Sequence, residues 1–237
     1  MNRSLMYLDQ NYASRISKFL IGDDGHAHFG LLHDVLTQSD ICIPPSPFHV
    51  LELLDGYLKP SFQQLYGHFS RGYWVRHWQD VVKRQAIHQR VDIEDFLTTE
   101  GDWESAAETA PLTDIVTLAW NGSFVERKHA ITTMLQQRLQ PLIGEVETPF
   151  VRILSGLLTF RSLNEERQAR DSDLIDLLMA ATVRPYVQWL CTDRFMREGL
   201  EKIGEGEGVF SGRRQEVHVL IQRFAPGTSS VGGAHGV

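Results

Sequence analysis

Asp9, Glu52, Asp176 and Asp193 are four acids that could act together. Asp9 ends the short apolar run Leu5 to Leu8, and Asp193 ends the run Tyr186 to Thr192. Glu52 follows Ser46-Pro47, and Asp176 lies between Ile175 and Leu177, one helical turn after Asp173. Carboxylate oxygens suit hard divalent cations, and Mg²⁺ keeps several waters while using few carboxylates. One or two such ions can activate a water and neutralise a scissile phosphate, which are the two requirements for cutting a phosphodiester. Acids this close repel one another strongly unless a cation sits among them.

The elements that would position these acids follow from periodicity. Leu5 to Leu8 reads as a buried strand, followed by a helix over Tyr12 to Ile21 with Ile16, Phe19 and Leu20 on one side. Gly22 to Gly25 breaks it, and a second helix covers Phe29 to Leu36. Asp40-Ile-Cys-Ile-Pro-Pro reads as a very short strand stopped by prolines. Ser46 can cap a helix with Pro47 in its first position, and that helix carries Glu52. From about Lys59 to Arg170 the pattern is mainly helical: Trp74, Trp78, Val81 and Val82, then Ile131, Met134, Leu135 and Leu139, then Phe150, Ile153, Leu154, Leu157 and Leu158. Asp92 to Ala110 is acidic and less periodic, as a loop or lid would be.

Alternating elements then return. Leu174 to Val183 reads as helix, Tyr186 to Thr192 as strand, Arg194 to Ile203 as helix, Gly204 to Gly208 as turn and Glu216 to Phe224 as a final strand. Strands at both ends with helices between predict an α/β fold with a mainly parallel sheet. Ligands of such sheets bind beyond the carboxyl ends of the strands, where Asp9 and Asp193 both stand. On this reading residues 1–225 form one domain with a helical insertion at about 59–170. The glycine- and serine-rich tail 226–237 is expected to be disordered.

Composition sets outer limits. The 237 residues carry a formal net charge of −7, so contact with nucleic acid must come from a local basic patch or from bound metal. Cys42 and Cys191 sit in apolar surroundings without a CxxC pair and read as buried thiols. MNRSLMYLDQ lacks the apolar run of a signal peptide, and no stretch reaches the roughly 18 apolar residues of a membrane span. A cytoplasmic protein with no membrane contact is expected.

Four blocks resemble a known family. Tyr7-Leu-Asp-Gln-Asn11 looks like the first strand of PIN-like nucleases, an acid followed two places later by Asn or a small polar residue. Pro45-Ser-Pro-Phe-His-Val-Leu-Glu52 is similar to their second block, a Ser or Thr shortly before a helix with the second acid. Asp173-Leu-Ile-Asp-Leu-Leu-Met-Ala-Ala181 resembles the third block, and Pro185-Tyr-Val-Gln-Trp-Leu-Cys-Thr-Asp193 the fourth, a strand ending in Thr-Asp. The blocks keep the family's order, while residues 59–170 have no counterpart in its small toxin-type members.

The resemblance implies a three-layer α/β/α fold with a central, mainly parallel sheet. It implies Mg²⁺ or Mn²⁺ as cofactor and endoribonuclease activity, with Asp9, Glu52, Asp176 and Asp193 as catalytic metal ligands, directly or through water. Asn11, Asp173 and Thr192 would support them. The expected partners are RNA, a second copy of the chain, and an antitoxin or other protein. The alternative is an inactive PIN-like scaffold that binds RNA or protein without cutting. A phosphatase with a sheet-edge aspartate fits less well, because Asp9-Gln10-Asn11 lacks its usual second acid.

Each residue also has a plainer use. Asp9 and Asp193 could simply cap the helices that follow them, and Glu52 could be a solvated helix charge. Either Asp173 or Asp176 could face solvent. Arg71, Arg76, Lys83, Arg84 and Arg90, interleaved with Tyr73, Trp74 and Trp78, could hold single-stranded RNA by phosphate contact and stacking. They could equally be the solvated face of an amphipathic helix. His26, His28 and His33 lack the second cluster that a zinc site needs, and His49 reads as a satisfied histidine rather than a catalyst.

Overall fold

A computed structural model describes residues 4–53, 56–110, 112–164 and 171–225. The expectation for the tail 226–237 lies outside the described residues. The fold is α/β. Its main sheet contains β1 (Ser4–Leu8), β2 (Ile41–Cys42), β5 (Trp189–Thr192) and β6 (Val209–Ser211) in the order β2-β1-β5-β6, with every pairing parallel. A separate antiparallel pair joins β3 (Trp74–Val75) to β4 (Leu97–Thr98). The helices are α1 (Gln10–Leu20), α2 (Ala27–Thr37), α3 (Pro47–Glu52), α4 (Lys59–Phe69), α5 (Trp78–His88), α6 (Ile93–Phe96), α7 (Phe124–Ile143), α8 (Pro149–Ser162), α9 (Asp171–Val183), α10 (Arg194–Lys202) and α11 (Arg214–Phe224). No helix among the described residues is long and apolar enough to cross a membrane.

Side chains of a strand alternate between its faces, and β1 shows the consequence. Leu5 and Tyr7 enter one apolar cluster, Met6 and Leu8 a second. Leu190 and Cys191 of β5 divide the same way. The first cluster draws its helical residues mainly from α5, α7, α8, α9 and α10, the second from α1, α2, α4 and α11. The segment that follows Lys59 therefore packs against the sheet residues in both clusters instead of forming a core of its own. This double burial is why the strands near the middle of the sheet read as continuous apolar runs.

Several expectations are corrected. Glu216 to Phe224 lies in α11, and the last strand is β6. The run Val217-His-Val-Leu-Ile looks alternating, but Val217 and Leu220 are buried and Ile221 and Phe224 pack beside them, a helical spacing. Trp74 is paired in β3, so it does not share the helix that starts at Trp78. The segment from 92 to 110 is not simply a loop, because it contains α6 and β4.

Candidate functional site

Asp9 and Asp193 follow the last residues of β1 and β5, neighbouring strands in the sheet. The Asp9 backbone N–H donates to Cys191 O at 2.8 Å, which fixes the two strand ends side by side. Both acids also cap the helices that begin there: Asp9 Oδ1 accepts from Tyr12 N at 3.0 Å, and Asp193 Oδ1 from Met196 N at 2.7 Å. Capping and membership of an acidic cluster are thus compatible, since a carboxylate has lone pairs to spare after one cap bond. Thr192, buried at the end of β5, hydrogen-bonds the Asp9 side chain.

Glu52 is the last residue of α3. Ser46 and His49 form a reciprocal capping box with Pro47 in the first turn, so this short helix is held firmly at its amino end. The Gln10 side-chain amide faces Glu52, with its nitrogen 3.0 and 2.7 Å from the two carboxylate oxygens once oriented to satisfy both. Asp176 lies inside α9 and is partly buried.

The electrostatics link the acids in a chain. Burial raises the Asp9 carboxyl to about 7, and the charge of Asp193 adds to that rise. Burial likewise raises Glu52 to about 8, followed by the charges of Asp176 and then Asp9. The Tyr7 phenol sits in the field of three of them. Burial pushes it above its ordinary range, and Glu52, Asp9 and Asp176 push further, against the Ser46 hydrogen bond. Asp9, Glu52 and Asp176 thus share an influence on Tyr7, and Asp193 is linked to them through Asp9.

A buried polar network backs this place. Tyr7 Oη lies 2.6 Å from Ser46 Oγ, and Ser46 N donates to His49 Nδ1 at 3.1 Å. With Nδ1 accepting, the neutral ring carries its proton on Nε2, which donates to Leu8 O at 2.8 Å. Tyr66 Oη donates to the same carbonyl at 3.1 Å. Burial lowers His49 to about 4, so it is neutral at physiological pH and serves as a fixed strut. Sequence reading placed His49 correctly as a satisfied histidine but missed Gln10, Tyr7 and Tyr66. Of these, only the adjacency of Gln10 to Asp9 carried a signal.

Asp173 is buried and held by an arginine. Arg161 donates to Asp173 Oδ2 through Nε at 3.1 Å and Nη2 at 3.0 Å, and through Nη1 to Val116 O at 3.1 Å. This buried ion pair ties α8 to α9.

The basic residues singled out in the sequence lie elsewhere. Arg76 and Arg84 line a cavity of about 610 Å³ with Leu5 and Cys42, residues at or near the amino end of β1 and in β2. Arg71 pairs with Asp40, Arg84 with Asp95 at 3.6 Å, and Arg90 with Asp92 at 2.8 Å, while Lys83 is exposed. Arginines do stand beside the acids. A cavity of about 190 Å³ is lined by Asn11, Thr192 and Asp193 together with Arg15, Arg194 and Arg213.

The side-chain oxygens of Asp9, Glu52, Asp176 and Asp193 are all carboxylate, and burial raises two of these groups, Asp9 and Glu52; carboxylate oxygen is the donor type that a hard divalent cation takes. Among the described residues, no three His, Cys, Asp or Glu side chains form a group that could hold a metal ion by themselves. The fit is therefore to an ion that takes few carboxylates directly and completes its shell with water. Compared with known protein families, with curated proteins and with solved structures, the chain matches none.

Proposed function

We propose that the chain is a divalent-metal-dependent endoribonuclease of PIN-like architecture. What supports this reading is the pairwise influence of Asp193 on Asp9 and of Asp176 and Asp9 on Glu52, which adds to burial in raising two carboxyls to about 7 and 8. Such a site is costly to maintain without a chemical use, and perturbed carboxyls gathered in one place favour a functional role over a structural one. In this reading the two apolar clusters are the outer helical layers of an α/β/α sandwich, and residues 59–170 enlarge both.

Mg²⁺ or Mn²⁺, held by Asp9, Glu52, Asp176 and Asp193 directly or through water, would supply charge neutralisation at the phosphate and acidify a water. The chain's own residues have separable tasks. Tyr12 N–H and Thr192 orient Asp9, Gln10 holds Glu52, and the neutral His49 strut fixes Leu8 and the strand end.

The test is cleavage of single-stranded RNA by the purified chain with Mn²⁺ or Mg²⁺ and with chelator. Cleavage that needs the metal is the expected result. A folded protein that binds RNA but leaves it intact at every metal concentration would instead support the scaffold alternative.

A further inference from the structure

We propose that Arg15 and Arg213, beside Asp193, form a phosphate subsite that holds the RNA strand next to the bond being cut. This inference rests on the nuclease reading of the acids and adds where the strand lies.

The first observation is the cavity of about 190 Å³, which Asp193 and Thr192 share with Arg15 and Arg213. Of the four acids, Asp193 lines it, next to Thr192 at the end of β5. The second is how the arginines are engaged. The Arg15 guanidinium donates to Gly212 O at 3.0 Å and lies over the Phe29 ring at 5.3 Å. Both partners are neutral, so they position the cation without cancelling its charge. Glu198 is 2.6 Å from Arg194 and 3.8 Å from Arg213, so one carboxylate serves two arginines.

The third observation concerns what lies beyond. His28 is lowered by burial and then by the positive fields of Arg214, Arg15, His26 and His218. The start of α2 therefore lies within the positive field of Arg15, one of the two arginines of the subsite. In a chain with net charge −7, Arg15, Arg194 and Arg213 around one cavity supply the local basic patch that a nucleic acid requires.

The turn that presents Arg213 is built for this placement. Tyr12 Oη donates to Ser211 O, and Arg15 to Gly212 O, so α1 grips the β6–α11 turn at two successive carbonyls. A Cβ on Gly212 would lie 2.8 Å from Arg15 Nη1, so any larger residue must push the guanidinium aside.

Binding of a short fluorescein-labelled single-stranded RNA, measured by anisotropy with chelator present at two salt concentrations, tests the subsite. Arg15→Gln and Arg213→Gln should each weaken binding several-fold and flatten the salt dependence by about 0.7 per lost phosphate contact. Gly212→Ala should weaken binding although the net charge is unchanged, and Arg15→Lys should lose less than Arg15→Gln. Folded glutamine variants that bind with wild-type affinity and salt slope would overturn the subsite. If the wild type then still cuts RNA, the reading of the acids survives. If RNA binds through the arginines but metal gives no cleavage, the nuclease reading fails and the subsite stands.

Discussion

Two charged regions of this molecule are built on opposite principles. Around β3 and α5 the conspicuous arginines meet carboxylates: Arg71 meets Asp40, Arg84 meets Asp95 and Arg90 meets Asp92. Near the carboxyl ends of β1 and β5, by contrast, Asp193 raises Asp9, Asp176 and Asp9 raise Glu52, and Arg15 rests on neutral partners. Charges neutralised in place contribute modestly to stability when exposed. Charges of one sign packed together are destabilising and are relieved by taking up a proton or a cation. Density of charged residues in sequence is therefore a poor guide to a site, and the sign of their spatial neighbours is a better one.

The same contrast occurs within one helix. Asp173 and Asp176 are a turn apart in α9, yet Asp173 is held by Arg161 while Asp176 adds to the field on Glu52. Removing either acid should have opposite effects, which is how the comparison can be broken.

The largest effect is expected on catalysis. Asp9→Asn and Glu52→Gln keep size but remove charge, and each should lower metal-dependent RNA cleavage by roughly 100-fold or more, the scale of a lost acid–base group. Thermal melts should show both variants folded. Cleavage within a few-fold of wild type in either would separate that acid from the chemistry.

Next comes Asp173→Ala. It strands the buried Arg161 guanidinium and should destabilise the fold by about 3–5 kcal/mol, measured by denaturant unfolding. A loss below about 1 kcal/mol, as for an exposed pair, would mean that this ion pair is structurally idle.

A smaller effect concerns pH. Asp9 and Glu52 have folded-state values of about 7 and 8, raised by burial from 3.8 and 4.5. The folded state holds these protons more tightly than the unfolded chain does. Their stability contribution is therefore complete below about 4 and is lost as pH rises through 7 and 8. Metal-free protein should melt lower at pH 8 than at pH 5, Asp9→Asn should lessen the decline, and millimolar Mn²⁺ should oppose it by binding the native state. A melting temperature that rises over that interval in both proteins, unaffected by Mn²⁺, would dissolve the coupling.

The sequence showed the ends of the strands more clearly than the middle of the chain. Asp9 and Asp193 were legible because an apolar run buried on both faces stops abruptly at an acid, and Ser46-Pro47 because capping chemistry is local. The partnership of Asp173 was not legible, since Arg161 lies on another helix. Nor was the position of Glu52, because α3 is too short for periodicity to mark its end. β6 has three residues, fewer than alternation can reveal, whereas the β-branched residues at the start of α11 imitate a strand. Arg15 meets Gly212 across 197 residues, a contact that only the completed fold creates.

The most direct test is a single-turnover RNA cleavage assay on Asp176→Asn with saturating Mn²⁺. This acid lies away from the strand ends, is linked to the others through space, and can be changed without disturbing a helix cap. Convergence of the four acids on one metal-dependent site predicts a folded protein, at least as stable as wild type without metal, that no longer cuts RNA. An Asp176→Asn protein cutting at the wild-type rate would contradict it.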